Sequence, residues 1–190
     1  MARDTPAQNR LSAAAIEATI DVWQASDQER WWPTAGDSMA PLIANGDEVL
    51  LKFSADGLRR GDIVVFRHET LRRDGLIAHR VIRIRQHDHG CIVLTKGDNC
   101  ALADTPVTTQ DVLGRVVAIR RAGECIRIDT PALRRRARLI ATLSLAEFGG
   151  LRLARRLGRW LPLPRPLPGG GIGLRLGQAM SRAAARLLMK

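Results

Sequence analysis

The sequence of 190 residues predicts a mainly β, antiparallel domain, preceded by a short helix and followed by a basic, amphipathic helical tail. Short β-branched runs alternate with Gly-containing turns in the centre of the chain. The outer segments instead repeat apolar residues at helical spacing. The charge is also unevenly divided. Residues 1–130 hold 17 Lys and Arg against 18 Asp and Glu, whereas residues 131–190 hold 13 basic residues and one acid, Glu147.

The first of three predicted segments, residues 1–33, contains the short helix and a linker. Ile16, Ile20 and Trp23 recur at the spacing of one helix face within residues 11–25. The Trp-Trp-Pro sequence that closes the segment ends any helix, because the residue before a proline disfavours helical geometry.

The second segment, residues 34–130, is the predicted β domain. Turn sequences such as Asn45-Gly46 and Asp56-Gly57 separate its apolar runs. Several runs alternate apolar and polar residues, which is typical of antiparallel strands with one solvated face. Strands are predicted at residues 48–53, 63–67, 77–85, 91–96, 112–120 and 124–128.

The third segment, residues 131–190, is the predicted tail. Its helical stretches place leucines on one face and arginines on the other, so the tail is strongly amphipathic. Helices are predicted at residues 133–148, 151–161 and 172–187. Gly149-Gly150 is expected to end the first helix, and the Pro- and Gly-rich residues 162–171 form a linker.

The predicted β domain contains one set of residues suited to nucleophilic catalysis. A reactive hydroxyl requires a base that removes its proton and a carboxylate that orients the base. Ser38 lies in a loop bracketed by glycine and proline, and His79 lies in a predicted strand. Asp98 and Asp104 follow the next strand. Because such triads are recognised in space, the spacing along the chain does not choose between the two aspartates.

Five sequence blocks then suggest a family. They are Gly36-Asp37-Ser38-Met39-Ala40-Pro41, Gly61-Asp62-Ile63-Val64-Val65-Phe66, His79-Arg80-Val81, Thr95-Lys96-Gly97-Asp98-Asn99 and Val112-Leu113-Gly114-Arg115-Val116. In this order the chain resembles type I signal peptidases over residues 34–118. Histidine stands where the usual base is lysine, so the chain is similar to the endoplasmic-reticulum and SipW-like branch. The resemblance implies the antiparallel β fold of the signal peptidase/LexA-like superfamily.

The resemblance also implies a role for each site residue. Ser38 would be the nucleophile, His79 the general base and Asp104 the carboxylate that orients it, while Asp98 would hold the site together by hydrogen bonds. A neutral histidine with a pKa near the ordinary value of ~6.5 accepts the serine proton at neutral pH. The oxyanion hole would consist of the Ser38 N–H and one further donor. Many relatives supply that donor from a serine at the position of Gly36, so a backbone group must replace it here.

The implied function is that of a serine endopeptidase that cuts a signal or leader segment from a polypeptide substrate, with no cofactor. Two alternatives remain: a self-cleaving LexA-like domain, and a catalytically idle domain that binds a membrane or partner through its tail. Two features oppose self-cleavage. The residues before Ser38 are too few for a helix-turn-helix and a linker, and His79 stands where those relatives use lysine.

The cysteines and histidines predict no metal site. Three cysteines without a C-x-x-C spacing argue against a disulfide framework and a cysteine-rich zinc site. His87-Asp88-His89-Gly90-Cys91 contains ligand types that zinc accepts, but the tip of a polar hairpin is the favoured interpretation.

The location and partners of the chain depend on its tail. We find no signal peptide and no apolar stretch of the ~18 residues that a spanning helix needs, although relatives carry such a helix before the serine. The chain is therefore expected to be cytoplasmic or peripheral to a membrane, with residues 133–190 as the membrane contact. For the role of the tail, contact with a membrane surface and packing against a partner or against the chain itself are equally favoured, and nucleic-acid binding is third. The oligomeric state stays open.

Overall fold

The computed structural model describes residues 28–67, 76–88 and 90–157, together with Ala18, Val22 and Trp23, and it describes side chains as far as Gly150. The strands are β1 (Glu29–Pro33), β2 (Glu48–Lys52), β3 (Ile63–Arg67), β4 (Leu76–His87), β5 (Gly90–Lys96), β6 (Val107–Thr108), β7 (Val112–Arg121) and β8 (Glu124–Arg127). A 3₁₀ turn at Thr109–Asp111 precedes β7, and the helix α1 spans Pro131–Leu157.

The eight strands form one antiparallel sheet in the order β1-β2-β7-β3-β4-β5-β6, with β8 paired to β7. The mainly β fold predicted from the sequence is therefore confirmed. The six predicted strands are present, and their ends differ from the prediction by at most two residues. Strand β7 is inserted between β2 and β3, and β4 pairs with the other edge of β3, so β3 lies near the centre of the sheet.

Both faces of the central strand β3 are covered. Ile63 and Val65 belong to one apolar cluster, and Val64 and Phe66 belong to a second. Successive side chains of a strand point to opposite faces, so four consecutive apolar residues require cover on both sides. Met39, next to the predicted nucleophile, is buried in the first cluster and thereby ties the serine loop to the sheet.

The hairpin between β7 and β8 illustrates how the turn sequences work. Ala122 and Gly123 both have positive φ values, 49° and 86°. This is the requirement of a two-residue type I′ turn, whose twist matches that of the strands it joins. The turn lies between the strands predicted at residues 112–120 and 124–128.

Helix α1 packs against the sheet. Ile140, Ala141 and Ser144 are buried at helical spacing on the face that meets the domain. The backbone of Gly61 approaches closely, since a β-carbon there would lie 2.8 Å from the carbonyl carbon of Ala137. Only glycine permits this approach, so the loop before β3 is shaped to receive the helix.

The expected break at Gly149-Gly150 was wrong, because α1 continues through both glycines to Leu157. Each glycine in an exposed helix costs about 1 kcal/mol relative to alanine but leaves the helical hydrogen bonds intact, unlike proline. No atom outside the helix backbone lies within 4 Å of a β-carbon added at either position. Glycine therefore weakens this helix without ending it.

Two strands were not predicted. Glu29–Pro33 forms β1 and pairs with β2 where a linker was expected. Trp32 packs against the first apolar cluster and against Trp23, at a ring-centroid distance of 6.0 Å. Trp31, on the opposite face of the strand, stacks with the Arg120 guanidinium. The two-residue strand β6 is too short to leave a periodic signal.

Several sequence predictions fall outside the described residues. Of the predicted N-terminal helix, Ala18, Val22 and Trp23 are described and are helical. The linker at 162–171 and the last predicted helix at 172–187 lie beyond the described range. None of the helices in the part of the chain that the structure describes has the length and apolarity needed to cross a membrane.

Candidate active site

The loop that carries Ser38 is bound to the turn after β5. The Asn99 N–H donates to the Ser38 carbonyl at 2.8 Å, and the Asn99 side-chain amide donates to the Asp37 carbonyl at 3.0 Å. The Asp98 N–H lies 3.4 Å from the sulfur of the buried Met39. These contacts hold Ser38 against a turn 59 to 62 residues later in the chain.

His79 is held by Asp104. The imidazole lies on β4, opposite Val64 on β3, and only 7% of its side chain is exposed. Its Nδ1 lies 2.7 Å from Asp104 Oδ2, and the Thr95 hydroxyl donates to the same oxygen at 2.7 Å. A carboxylate at Nδ1 places the ring proton there and leaves Nε2 to exchange protons with a substrate or a nucleophile.

Asp98 has a different partner from Asp104. Its two carboxylate oxygens accept bonds from Arg80 Nε at 2.8 Å and Arg80 NH2 at 2.6 Å. A third guanidinium nitrogen donates to the Gly61 carbonyl at 2.9 Å. The side chains of Arg80 and Asp98 are each 1% exposed. The ion pair is therefore buried, and both carboxylate oxygens accept a hydrogen bond from the guanidinium. Asp98 thus joins the turn after β5 to β4, next to His79.

Three functional groups converge on the backbone of Gly97. A β-carbon on Gly97 would lie 2.6 Å from Cys100 Sγ, 2.7 Å from the Ser38 carbonyl oxygen and 2.9 Å from His79 Nε2. Side-chain carbons do not approach other atoms this closely, so the packing of the site requires glycine here. The close approach brings the serine loop, the imidazole and the turn after β5 to one point.

Ser38 and His79 line the same cleft, which has a volume of about 470 Å³. Its walls are largely apolar and include Ile43, Val65 and Ala78. Among the described residues, neither the Ser38 hydroxyl nor the Ser38 N–H makes a hydrogen bond inside the protein. Both groups therefore remain available to a molecule in the cleft. A second cavity, of about 380 Å³ beneath α1, includes neither residue.

Cys100 is a site residue that the sequence analysis missed. Its thiol donates to the Ser38 carbonyl oxygen at 4.0 Å. The sulfur lies on the Nε2 side of the His79 ring, because Cys100 Sγ and His79 Nε2 are 2.6 and 2.9 Å from the point that a β-carbon on Gly97 would occupy. The sequence signal was the position of Cys100 directly after the Gly-Asp-Asn block, but cysteines were considered only for disulfides and zinc.

The imidazole has a displaced pKa. Burial lowers the pKa of His79, but the hydrogen bonds with Asp104 and Cys100 and their negative charges outweigh burial and raise it from 6.5 to about 9. The expectation of an ordinary histidine was therefore wrong, because burial beside a carboxylate and a thiol stabilises the imidazolium. At pH 7 the ring is therefore protonated in most molecules.

A second missed feature lies behind the site. Lys96, one residue before Gly97, is 1% exposed, and its Nζ lies 3.5 Å from Glu147 on α1. Glu147 is the one acid of residues 131–190. The pair therefore links the basic helix to β5, the strand that leads into the turn at Gly97.

The histidines at the end of β4 form no cluster in the described structure. His87 is exposed, and His89 lies outside the described residues. Within residues 28–67, 76–88 and 90–157, no three side chains of His, Cys, Asp or Glu gather closely enough to bind a metal ion.

Comparison with known proteins identifies a family but no curated relative. The model of the Peptidase S24-like family matches residues 5–117, which include Ser38, His79, Asp98 and Asp104. No curated protein matches the chain. The matched residues cover more than half of the sequence and contain the strands that bring the hydroxyl, imidazole and carboxylate together. The chain therefore belongs to the Peptidase S24-like family, a family of serine peptidase-type domains in the LexA and signal peptidase superfamily.

Proposed function

We propose that the protein is a serine endopeptidase of the signal-peptidase type, which removes a signal or leader segment from a polypeptide. The observation that carries the proposal is the 2.7 Å contact of His79 Nδ1 with Asp104, with Nε2 directed at the turn that binds the Ser38 loop. This arrangement supplies a base and its orienting carboxylate beside a serine that lines the same cleft.

The reaction follows from these roles. The Ser38 hydroxyl attacks the scissile carbonyl while His79 Nε2 takes its proton, and Asp104 stabilises the imidazolium that forms. The Ser38 N–H, which has no partner among the described residues, donates to the developing oxyanion. His79 then returns the proton to the leaving amine, and water attacks the acyl-serine ester with His79 again as the base.

The cleft supports a preference for small or apolar residues next to the cut. Its walls at Ile43, Val65 and Ala78 offer no charged partner for a substrate side chain. Apolar walls discriminate weakly between apolar substrates but exclude charged ones, because burying an unpaired charge is costly. The resemblance to signal peptidases likewise implies small residues just before the cut.

Self-cleavage is the second candidate, since the family match also covers LexA-like domains. The two reactions use the same residues and differ in the origin of the scissile segment. Incubating the purified chain alone and measuring its mass distinguishes them, because self-cleavage yields two fragments at a rate independent of protein concentration.

The test of the proposed function uses peptides that contain a leader-like apolar segment followed by alanine or glycine at the cut. Mass spectrometry should detect cleavage by the parent protein, and Ser38→Ala should lower kcat by 10³-fold or more, on the order of the loss seen when a triad member is removed. Ser54→Ala is the matched control, because Ser54 lies in a loop and caps Asp56 without lining the cleft.

Two results would contradict the assignment. Cleavage by Ser38→Ala at the rate of Ser54→Ala would remove the serine from the mechanism. A phosphonate probe that labels the parent protein at a residue other than Ser38 would do the same.

We also propose that the outer face of α1 contacts an anionic membrane surface. Leu139 and Leu143 are 66% and 41% exposed one turn apart, and Arg135 and Arg138 are exposed beside them. Exposed leucines flanked by arginines fit a surface with anionic headgroups above an acyl boundary. Such a contact would bring the cleft near substrates that are themselves held at a membrane.

A further inference from the structure

The proposed peptidase mechanism leaves one nucleophile of the cleft unused, the thiol of Cys100. The turn that carries it is closed by a 3.0 Å bond from the Cys100 N–H to the Gly97 carbonyl. The sulfur and His79 Nε2 lie 2.6 and 2.9 Å from one point, the position of a β-carbon built on Gly97. The thiol donates to the Ser38 carbonyl oxygen at 4.0 Å, and its residue is half-buried rather than sealed in the core. A reagent that enters the cleft therefore meets Cys100 as well as Ser38.

Cys100, His79 and Asp104 form a complete chain of thiol, imidazole and carboxylate. Asp104 holds the far side of the ring at 2.7 Å, and 93% of the imidazole is buried, so Nε2 cannot turn away from the sulfur. In a cysteine–histidine pair the imidazole accepts the thiol proton during reaction, and the thiolate is the nucleophilic form of cysteine. A serine hydroxyl in the same place loses its proton only while it attacks.

We propose that Cys100 is a modification site for peroxides and alkylating electrophiles, and that its modification stops the chemistry of Ser38 and His79. The first half stands on the thiol and imidazole alone, and the second half rests on the proposed peptidase function. With hydrogen peroxide, the thiolate sulfur attacks one oxygen, the O–O bond breaks and a sulfenic acid forms. The sulfur loses two electrons, and the departing hydroxide takes the proton of the His79 imidazolium to become water.

The packing around Gly97 explains why modification would be inhibitory. The space between Cys100 Sγ, the Ser38 carbonyl and His79 Nε2 cannot hold one added carbon without contacts of 2.6 to 2.9 Å. An atom added to the sulfur must therefore extend into the cleft or displace the imidazole. A group that extends into the cleft blocks the substrate from Ser38. A displaced imidazole no longer presents Nε2 to the Ser38 proton.

The chain contains its own control thiols. Cys125 is exposed on β8, and Cys91 donates to the Gln86 side chain at 3.4 Å on β5. Among the described residues, neither contacts an imidazole. Since Cys125 is the more accessible thiol, faster reaction at the less exposed Cys100 would reflect activation by His79 rather than access.

The first experiment measures thiol reactivity without any peptidase assay. The full chain is treated with limiting iodoacetamide, whose iodide leaves as the sulfur bonds to the methylene carbon, and labelling of each cysteine is followed by mass spectrometry. Cys100 should react at least ~10-fold faster than Cys125 in the parent protein. Asp104→Asn and His79→Gln should remove that advantage while leaving the labelling rate of Cys125 unchanged, and circular dichroism with a cooperative urea transition should show that both variants remain folded.

The second experiment connects the site to activity. Hydrogen peroxide should inactivate the parent protein, dithiothreitol should restore it, and Cys100→Ala should resist when each protein is normalised to its own untreated rate. Labelling of Cys100 no faster than Cys125 overturns the modification site, whether or not the protein cleaves peptides. Full labelling of Cys100 with undiminished cleavage overturns the inhibitory effect and leaves the peptidase assignment standing.

Discussion

Among single residues, His79 determines the conditions under which the site works. It touches a carboxylate at Nδ1 and a thiol at Nε2, and it is nearly enclosed by protein. A general base acts in its neutral form, yet both neighbours favour the protonated ring. In the proposed mechanism, the raised pKa therefore lowers the fraction of neutral His79 at pH 7 and makes the neutral ring a stronger base.

The pH dependence of cleavage should show this exchange. Because the pKa of His79 is raised to about 9, the neutral fraction and kcat/KM should rise through the alkaline range, roughly 50-fold between pH 7 and pH 9. Asp104→Asn should move the midpoint down toward the ordinary ~6.5, since it removes the strongest stabiliser of the imidazolium. The measurement is kcat/KM against pH, supported by NMR titration of the ring.

The stability of the fold should change in the opposite direction. A raised pKa means that the folded state binds the proton more tightly than the unfolded chain does, so the contribution to the free energy of unfolding is complete below pH 6.5 and is lost as the pH rises through about 9. A midpoint near 6.5 in the parent protein, by either activity or NMR, would contradict the assigned surroundings of His79.

Between secondary-structure elements, the turn after β5 is the junction of the site. It binds the serine loop through Asn99, β4 through Asp98 and the imidazole through Cys100. Directly before the turn, Lys96 reaches Glu147 on α1. Among the described residues, the Lys96 ammonium makes no hydrogen bond, so the negative charge of Glu147 is its main compensation.

Glu147→Ala should therefore destabilise the protein by about 3 kcal/mol, because it leaves a buried and uncompensated ammonium. The double substitution Lys96→Met with Glu147→Leu should recover most of that loss, since it removes both charges and keeps the volume. Urea unfolding of the parent protein, Lys96→Met, Glu147→Leu and the double variant measures the coupling between the two side chains.

The exposed pair of Arg120 and Glu48 provides the control. Its side chains are 34% and 41% exposed, so Glu48→Ala should change the free energy of unfolding by no more than about 1 kcal/mol. Equal losses for Glu147→Ala and Glu48→Ala would show that α1 does not hold Lys96 in place.

In the molecule as a whole, helix α1 has one face buried against the sheet and one face exposed. Its inner face, with Ile140, Ala141 and Ser144, is buried against the sheet, so this part of the tail packs on the β domain. The outer face keeps Leu139 and Leu143 exposed beside arginines. The proposed membrane contact concerns this outer face alone and leaves the packed face in place.

Leu139→Gln with Leu143→Gln should reduce co-sedimentation with vesicles that contain anionic lipid, since the two side chains together contribute roughly 3 kcal/mol or more when buried in an apolar layer. Both side chains are exposed, so the substitutions should leave unfolding by urea unchanged within about 0.5 kcal/mol. Zwitterionic vesicles are the control for electrostatic attraction, and undiminished binding of the double variant would refute the role of this face.

Local patterns were sufficient for the strands and for naming Ser38 and His79 as candidate site residues. β-branched runs between Gly-containing turns placed six strands correctly, because the alternation of buried and exposed side chains repeats within each strand. The Ser38 loop and His79 were identified from their neighbours in sequence. β1 and β6 escaped prediction, since one lies beside a proline and the other has only two residues.

The sequence on its own therefore established the β class, the order of the chemical groups along the chain and the basic bias of the last third. Folding established which groups touch: Asp104 rather than Asp98 against His79, Cys100 at Nε2, and the single acid of the tail against Lys96. In the folded protein, α1 also continues through Gly149 and Gly150. Secondary structure repeats within a few residues and so leaves a local pattern, whereas these contacts join residues 21 to 51 positions apart and depend on the order of strands in the sheet.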